Sequence, residues 1–327
     1  MGNFTENIAD RVRTLVQPDI LMANLLAGGE IFWVIEDSDT DFNSLAQRFG
    51  NKNVFTTLTD AYNAATTNRN DIILLSGNTT HSLSAGIAWT KNRIHVIGLD
   101  GGGRLVQQGA KVQLATAATS AYVVKVTGVR NTFKNVKFIQ AATAATGLHV
   151  LEEGGEGNLY DHCSFVFGVV DNLDLTTATE VLCGSDSATF TKCLFGTETL
   201  LTSAARTVFT IDQVTASQEF KSNIVEECIF MISSSSATAL LVGVAANTDV
   251  LFTNLFNRCV FMASLDSAGG AAITNAVASA SSLVKGTLNF AFPAAFGCTN
   301  FCAGTTAQVQ TYGPATSAQA GEAGTPS

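Results

Sequence analysis

The sequence predicts an all-β protein built as a parallel β-helix, and three observations lead to this prediction. A six-residue signature, large apolar–x–x–Cys/Val–x–Phe, occurs five times, at residues 133–138, 160–165, 190–195, 225–230 and 256–261. The fourth positions, 136, 163, 193, 228 and 259, are 27, 30, 35 and 31 residues apart, a period typical of solenoids. Charged residues make up only 14% of the 327 residues and hydrophobic residues 46%, as expected for a repetitive β structure with little charged surface.

The spacing inside the signature predicts the shape of one coil. The fourth and sixth residues are two apart, so on a strand they share a face. The first and fourth residues are three apart and can both point inward only if the chain bends at the polar pair between them, such as 134–135 or 161–162. Two inward ladders should therefore run along the stack. One ladder contains Phe138, Phe165, Phe195, Phe230 and Phe261, and the other contains Val136, Cys163, Cys193, Cys228 and Cys259.

Further short apolar runs between the signatures predict a third strand in each coil, at residues 122–126, 147–151, 179–183, 207–211 and 239–243. Residues 55–68 show helical spacing of apolar residues, and we expect this helix to cap the first coil. Residues 8–16 also have a helical apolar face, and residues 31–35 form an apolar strand. We divide the chain into an N-terminal arm or adaptor (1–50), the β-helix with its capping helix (51–290) and a C-terminal extension (291–327).

The cysteine pattern and the charge indicate a compartment and exclude several classes of partner. Seven cysteines, with no CxxC pair, argue against a disulfide framework and against a zinc site, and four of them belong to the inward ladder. The net charge of −9 disfavours binding to nucleic acid through a basic surface. We find no long uninterrupted apolar run and no secretory signal. We therefore expect reduced thiols, no metal or other cofactor, no membrane contact and folding in a cytoplasm.

These segments resemble right-handed parallel β-helices of the pectate-lyase type. The resemblance rests on the helix 55–68, the segments 70–75 and 94–102, and the repeated strand–bend–Cys–x–Phe coils, and it covers residues 50–290. More narrowly, the chain is similar to β-helical virion proteins of tailed bacteriophages, such as head-decoration proteins and tailspikes. The asparagine ladder of pectate lyases at the bend is nearly absent. The residue before the fourth position is Asn135 in the first copy and then His162, Lys192, Glu227 and Arg258.

Enzymes of this fold carry carboxylates on a lateral groove, and the best candidates here are Glu152, Glu153, Glu156 and Asp161, around a glycine-rich turn. Two carboxyl groups about 5–10 Å apart could cleave a glycosidic bond. The alternative interpretation is a solvated acidic loop, which we favour. Asp161, His162 and Ser164 hint at a catalytic triad, but Ser164 alternates with inward residues and no oxyanion element accompanies it.

The sequence thus favours a structural role over catalysis. By resemblance, we expect a virion component, assembled in the host cytoplasm, that decorates or cements the capsid or forms the base of a spike or fibre. Its partners would be the major capsid protein or other virion proteins, and a homo-oligomer, by resemblance a trimer, is expected. The alternatives are a tailspike-like polysaccharide lyase or glycoside hydrolase acting on host surface polysaccharide, and a glycan-binding protein without catalysis.

Overall fold

Strands dominate the structure, a computed structural model that describes residues 28–35, 51–77, 80–99, 109–169, 172–215, 218–245, 250–264, 270–279, 286–302 and 309–312. The N-terminal elements are β1 (Ile31–Val34), β2 (Val54–Phe55), α1 (Leu58–Ala64), β3 (Ile72–Leu75), β4 (Thr80–Leu83), β5 (Ile87–Trp89), β6 (His95–Gly98) and β7 (Lys111–Leu114). They are followed by β8 (Tyr122–Val126), β9 (Thr132–Lys134), β10 (Lys137–Gln140), β11 (His149–Glu153), β12 (Leu159–Asp161), β13 (Ser164–Phe167), β14 (Thr179–Cys183), β15 (Thr189–Thr191) and β16 (Leu194–Thr202). The chain continues with β17 (Thr207–Ile211), β18 (Phe220–Lys221), β19 (Ile224–Glu226), β20 (Ile229–Ser234), β21 (Leu240–Val244), β22 (Val250–Leu251) and β23 (Thr253–Asn257). The last strands are β24 (Val260–Ser264), β25 (Ile273–Ser279), β26 (Thr287–Ala291), β27 (Ala294–Phe296), β28 (Cys298–Cys302) and β29 (Val309–Tyr312).

Three long parallel sheets run along the stack. Sheet A has the order β2-β1-β3-β6-β9-β12-β15-β19-β23-β26-β29, sheet B the order β4-β7-β10-β13-β16-β20-β24-β27, and sheet C the order β5-β8-β11-β14-β17-β21-β25-β28. A small fourth sheet pairs β18 with β22. Each full coil contributes one strand to each long sheet, and the side chains that point inward form one continuous core. The architecture is therefore the predicted parallel β-helix.

The bend predicted inside the signature is a left-handed residue at the corner between sheets A and B. Asn135, His162, Lys192, Glu227 and Arg258 all have φ between 52° and 54°. On a straight strand, residues three apart face opposite sides. The left-handed residue interrupts this alternation by turning the chain, so the first and fourth signature positions both face the core. Asparagine and histidine tolerate this conformation better than lysine, glutamate and arginine do. The corner is thus preserved although the asparagine ladder is not.

Both predicted ladders are present. Strands β10, β13, β16, β20 and β24 align Phe138, Phe165, Phe195, Phe230 and Phe261 in register. Their rings stack with centroids 4.8–5.6 Å apart. In the second ladder, each cysteine thiol donates to a carbonyl of the preceding coil: Cys163 to Phe133 at 3.3 Å and Cys193 to Tyr160 at 3.4 Å, for example. The thiols therefore satisfy buried backbone acceptors as well as filling space.

An asparagine ladder lies at the opposite corner, between sheets C and A, where sequence analysis did not place one. It consists of Asn131, Asn158, Asn223, Asn254 and Asn289, all at least nine-tenths buried. The side-chain oxygen of each of the first four accepts a backbone N–H of the preceding coil, for example Asn158 from Asn131 at 2.8 Å and Asn254 from Asn223 at 3.0 Å. These four lie five residues before the fourth signature position, so an extended signature would have revealed the ladder.

The capping helix is shorter than the predicted 55–68. Phe55 belongs to strand β2, where it pairs with Val34, and Thr57 caps the helix by accepting the N–H of Asp60 at 3.1 Å. The side chains of Leu58, Ala61 and Tyr62 are buried against the first coils. Lys91 closes the other end, because its Nζ donates to three carbonyls in the last turn at 2.7–2.8 Å.

The parallel stack extends beyond the 51–290 range at both ends. Strand β1 lies between β2 and β3 in sheet A, so residues 31–34 are part of the stack. At the other end, β28 and β29 continue sheets C and A. The helix predicted at residues 8–16 and most of the C-terminal extension lie outside the described residues. No helix in the described part is long and apolar enough to span a membrane.

Candidate functional site

Glu153 ends strand β11 with its side chain in the core. Its carboxyl group accepts the backbone N–H of Gly155 at 2.7 Å, the side-chain amide of Asn158 at 3.0 Å and the hydroxyl of Tyr160. Burial raises the pKa of Glu153 to about 7, although the hydrogen bonds from Tyr160, Asn158 and Gly155 act in the opposite direction. This carboxyl group therefore orders the turn after β11 and is inaccessible to a polymer outside the stack.

Glu152 points to the opposite face of the same strand, as the alternation of a β-strand requires. Its carboxylate lies 2.8 Å from Nζ of Lys125 and 3.9 Å from Nε2 of His149. Nζ of Lys125 also donates to the carbonyl of Val214 at 3.3 Å. Burial lowers the pKa of His149, so this imidazole is neutral at pH 7. These side chains form a cluster on the outer face of sheet C.

Asp161 ends strand β12 and lies on the outer face of sheet A, since its neighbour Tyr160 faces the core. Its carboxylate is 2.9 Å from Nζ of Lys134 and 2.5 Å from Nδ1 of His162. Burial alone would raise the pKa of Asp161, but the hydrogen bonds from His162 and Lys134 outweigh burial and the pKa is lowered. Asp161 therefore remains a carboxylate. Ser164, the third member of the triad considered above, is fully buried.

Glu156 is exposed in the turn between β11 and β12, where its backbone carbonyl accepts the N–H of Arg130 at 2.8 Å. Glu153 thus faces the core, Glu152 the outside of sheet C and Asp161 the outside of sheet A, and Glu156 lies in a solvated turn. The structure brings none of them together as the carboxylate pair that cleavage of a glycosidic bond requires. Among the described residues, no group of three or more His, Cys, Asp or Glu side chains is arranged to hold a metal ion.

Sequence analysis missed the basic partners of these carboxylates, Lys125 and Lys134. Each lysine lies 27 residues before its partner, and strand pairing places Lys125 opposite Glu152 and Lys134 opposite Asp161. The same offset of 27 separates the first two signature copies. The repeat period, applied to charged residues, would have found both pairs.

A second charged pair that sequence analysis missed is entirely buried. Nη1 of Arg206 lies 2.7 Å from Oε2 of Glu180, and neither side chain has any solvent exposure. The guanidinium group also lies 5.7 Å from the ring centre of Phe167. Nε and Nη2 of Arg206 and Oε1 of Glu180 have no hydrogen-bond partner. An isolated buried charge is strongly destabilising. Each member of this pair therefore depends on the other staying in place.

Comparison with known proteins identifies the fold. No family model matches the sequence, and no curated protein matches it. Among solved structures, pectate lyase Pel9A is similar with a TM-score of 0.56 and 14% identity, over 91% of this chain and 80% of that chain. The pectin methylesterase from Aspergillus niger is similar with a TM-score of 0.51 and 11% identity, over 80% of this chain and 82% of that chain. The chain is a right-handed parallel β-helix. At this level of identity the likeness concerns the fold of the β-helix alone.

Proposed function

We propose that this protein is a structural component of the virion of a tailed bacteriophage, decorating or cementing the capsid or forming the base of a spike or fibre. The observation that supports this proposal best is the placement of the four candidate carboxyl groups. Glu152 and Asp161 are neutralised by lysines, Glu153 is enclosed in the core, and Glu156 lies in a solvated turn. Two of these acidic groups, Glu152 and Asp161, hold neighbouring coils together through their lysine partners.

The shape of the molecule suits such a role. With adjacent strands about 4.8 Å apart, the eleven strands of sheet A form a rod about 48 Å long. Aromatic stacking connects each coil to the next from Phe133 to Phe290, and buried asparagines add hydrogen bonds between several of these coils, so this part of the rod is stiff. A stiff rod can hold a particle surface together or project from it.

The cysteines are compatible with assembly in a host cytoplasm. Burial raises the pKa of Cys163 and of Cys183 to about 12, so both remain protonated thiols. Protonated, buried thiols react slowly with oxidants and disulfides. The protein can therefore fold in a reducing compartment and persist in an oxidising medium outside the cell.

Quantitative mass spectrometry of purified phage particles tests this proposal. The expected result is a stoichiometric ratio of this chain to the major capsid protein, or to a tail protein for the spike-base version. Particle imaging would then locate the chain on the head or on the tail. Absence of the chain from purified particles would contradict the proposal.

A second candidate function is binding or processing of an acidic polysaccharide on the outer face of sheet C. Two similar structures are a pectate lyase and a pectin methylesterase. The cluster of Lys125, His149 and Glu152, with Tyr122 beside it, offers an ammonium group for a uronate carboxylate. The neutral imidazole of His149 can accept a proton.

Incubation with pectin and with capsular polysaccharide, followed by ultraviolet detection of unsaturated products and by methanol release, tests this second candidate. The virion proposal predicts no turnover. If turnover is seen and is lost in Lys125→Met and His149→Gln but retained in the matched outer-face variant Lys134→Met, the enzyme proposal replaces it. Loss in Asp161→Asn would instead move the reaction to that carboxyl group.

A further inference from the structure

The first strands of sheet A are buried on their outer face as well as in the core. Strand alternation directs Phe32 and Val34 of β1 into the core, so Trp33 between them points outward. Its register partners are Leu74 of β3 and Val54 of β2. We call Trp33, Leu74 and Val54 the outer apolar row. These side chains are only 8%, 0% and 7% exposed, so a further layer covers the row.

Later coils place polar side chains at the same outward positions. From β9 onward, the residues in register with the outer apolar row are Lys134, Asp161, Thr191, Glu226 and Asn257. Parallel strands that are buried on both faces read as continuous apolar runs, and residues 31–35 and 72–75 are such runs. The covering layer therefore belongs to the N-terminal end of sheet A.

Residues 36–50 are the segment that the topology sends to this outer face. They connect β1 to β2, which are parallel neighbours, and a connection of this kind crosses one face of the sheet. The inner face is occupied by α1, whose Leu58, Ala61 and Tyr62 belong to the core. The outer face is therefore the one that remains for residues 36–50.

The handedness of crossover connections gives the same assignment. In the order β2-β1-β3, the connection from β1 to β2 steps away from the stack, and the connection from β2 to β3 steps back toward it. Connections between parallel strands are right-handed in about 98% of cases. Two right-handed connections that step in opposite directions lie on opposite faces of a sheet. Because α1 carries the second connection on the inner face, the first connection lies on the outer face.

The sequence of this segment suits an apolar face. Four of its residues have the i, i+3, i+4, i+7 spacing of an amphipathic helix: Phe42, Leu45, Ala46 and Phe49. Asp41 precedes this pattern and Gly50 follows it, as is typical of the two ends of a helix. A helix over 42–49 would be about 12 Å long, close to the roughly 13 Å of the four-residue strand β1. One pass of this helix would thus return the chain from the end of β1 to the start of β2.

Two other segments outside the described residues fit the outer apolar row less well. Residues 1–27 precede β1, so no second strand of sheet A fixes their other end. Residues 100–108 lie between β6 of sheet A and β7 of sheet B, so their connection follows the coil around the core. Residues 36–50 are anchored beside the row at both ends, by β1 and by β2.

We propose that residues 36–50 form a second layer on the outer face of sheet A, as an amphipathic helix that packs Phe42, Leu45 and Phe49 on the outer apolar row. Sheet A is then covered by a helix on each face at its N-terminal end. This part of the surface is closed to a partner protein, so docking to a particle would use another surface. The inference does not depend on the virion proposal, because it rests on strand order, burial and sequence pattern alone.

Fluorescence of Trp33 tests the proposal, because the chain has only two tryptophans. In a Trp89→Phe background, Trp33 is the sole tryptophan. Leu45→Asp should shift its emission to longer wavelength and increase its quenching by acrylamide severalfold. Gln47→Asp places the same charge on the opposite side of the proposed helix and is the matched control, which should leave both readouts unchanged. Equal effects of the two variants, or no effect of Leu45→Asp, would overturn the proposal.

The second tryptophan shows whether the core stays intact. In a Trp33→Phe background the reporter is Trp89, which lies in the core with no solvent exposure. Leu45→Asp should leave the emission of Trp89 unchanged. A change at Trp89 as large as the change at Trp33 would mean that Leu45 supports the core and not the outer layer, which would contradict the proposal.

Two further variants and a cross-link identify the occupant of the outer face. Val12→Asp and Leu105→Asp place a charge in the two competing segments, and both should leave Trp33 buried. Exposure of Trp33 by either variant would assign the face to that segment instead. A photo-reactive phenylalanine analogue at position 49 should cross-link to β1 or β3 of the same chain. Cross-links confined to sheets B and C, or to a second copy of the chain, would overturn the proposal.

Discussion

Replacing the buried acid Glu153 by glutamine should make the protein more stable above neutral pH and leave its stability unchanged in acid. The amide has the same shape as the carboxyl group. Its oxygen can still accept from Gly155 and Asn158, and its NH₂ can donate to the hydroxyl oxygen of Tyr160. The substitution therefore removes the titration and keeps the packing.

The magnitude follows from the pKa of about 7 in the folded protein, against an ordinary value of 4.5. Below pH 4.5 both the folded and the unfolded states hold the proton. Between pH 4.5 and 7 the unfolded chain ionises first, so the stability of the wild type falls as pH rises. Above pH 7 the loss is complete and amounts to about 3 kcal/mol. For a chain of this length, this corresponds to about 5 °C in the thermal midpoint.

Thermal unfolding followed by circular dichroism at pH 4.5 and pH 8 measures the effect. The thermal midpoint of Glu153→Gln minus that of wild type should be about 5 °C larger at pH 8 than at pH 4.5. The other titrating groups affect both proteins equally, so their contributions cancel in this comparison. Glu156→Gln changes an exposed glutamate in the same turn and should show no such growth. An equal difference between Glu153→Gln and wild type at both pH values would refute the reasoning, because it would mean that Glu153 ionises as easily in the core as in water.

Three further predictions concern the stack. Phe195→Ala should reduce the free energy of unfolding by about 3–5 kcal/mol in denaturant titration, because Phe195 stacks on both ring neighbours; a near-zero loss would place it outside the core. Arg206→Met alone should reduce the free energy of unfolding by about 3–5 kcal/mol, because it leaves the buried charge of Glu180 without a partner. The double variant Glu180→Leu/Arg206→Met should recover most of this loss. A double variant as unstable as the single one would contradict the prediction. Asn254→Ala should cost about 1–3 kcal/mol, because the N–H of Asn223 loses its acceptor, and hydrogen exchange of that amide should accelerate; unchanged exchange would argue against the ladder.

The repeated core could be predicted from the sequence because each inward position recurs with the same residue type. Phenylalanine on phenylalanine and cysteine on cysteine are visible as a period. The capping helix was predicted too long, because the apolar spacing continues through Phe55 although strand pairing with Val34 removes that residue from the helix. Spacing alone does not show where Thr57 begins the helix.

The candidate site was harder to predict, because the adjacent glutamates 152 and 153 lie in opposite surroundings, one on the outer face of sheet C and one in the core. Strand alternation places Glu152 and Glu153 on opposite faces but does not say that the core accepts a glutamate. That depends on Tyr160 and Asn158, which come from the next turn and strand. The lysines opposite Glu152 and Asp161 belong to the preceding coil, so only a comparison across one repeat period brings them into view.

The few charges of this chain also specify its register. A ladder of identical rings cannot distinguish one coil from the next, because slipping the stack by a whole coil again places phenylalanine on phenylalanine. The charged pairs remove this ambiguity. Lys134 meets Asp161 and Arg206 meets Glu180 only when the coils are in the native order. Slippage by one coil would separate the buried Arg206 from its partner, at a cost of several kcal/mol. The buried pair therefore favours one stacking of the coils over others of similar hydrophobic energy.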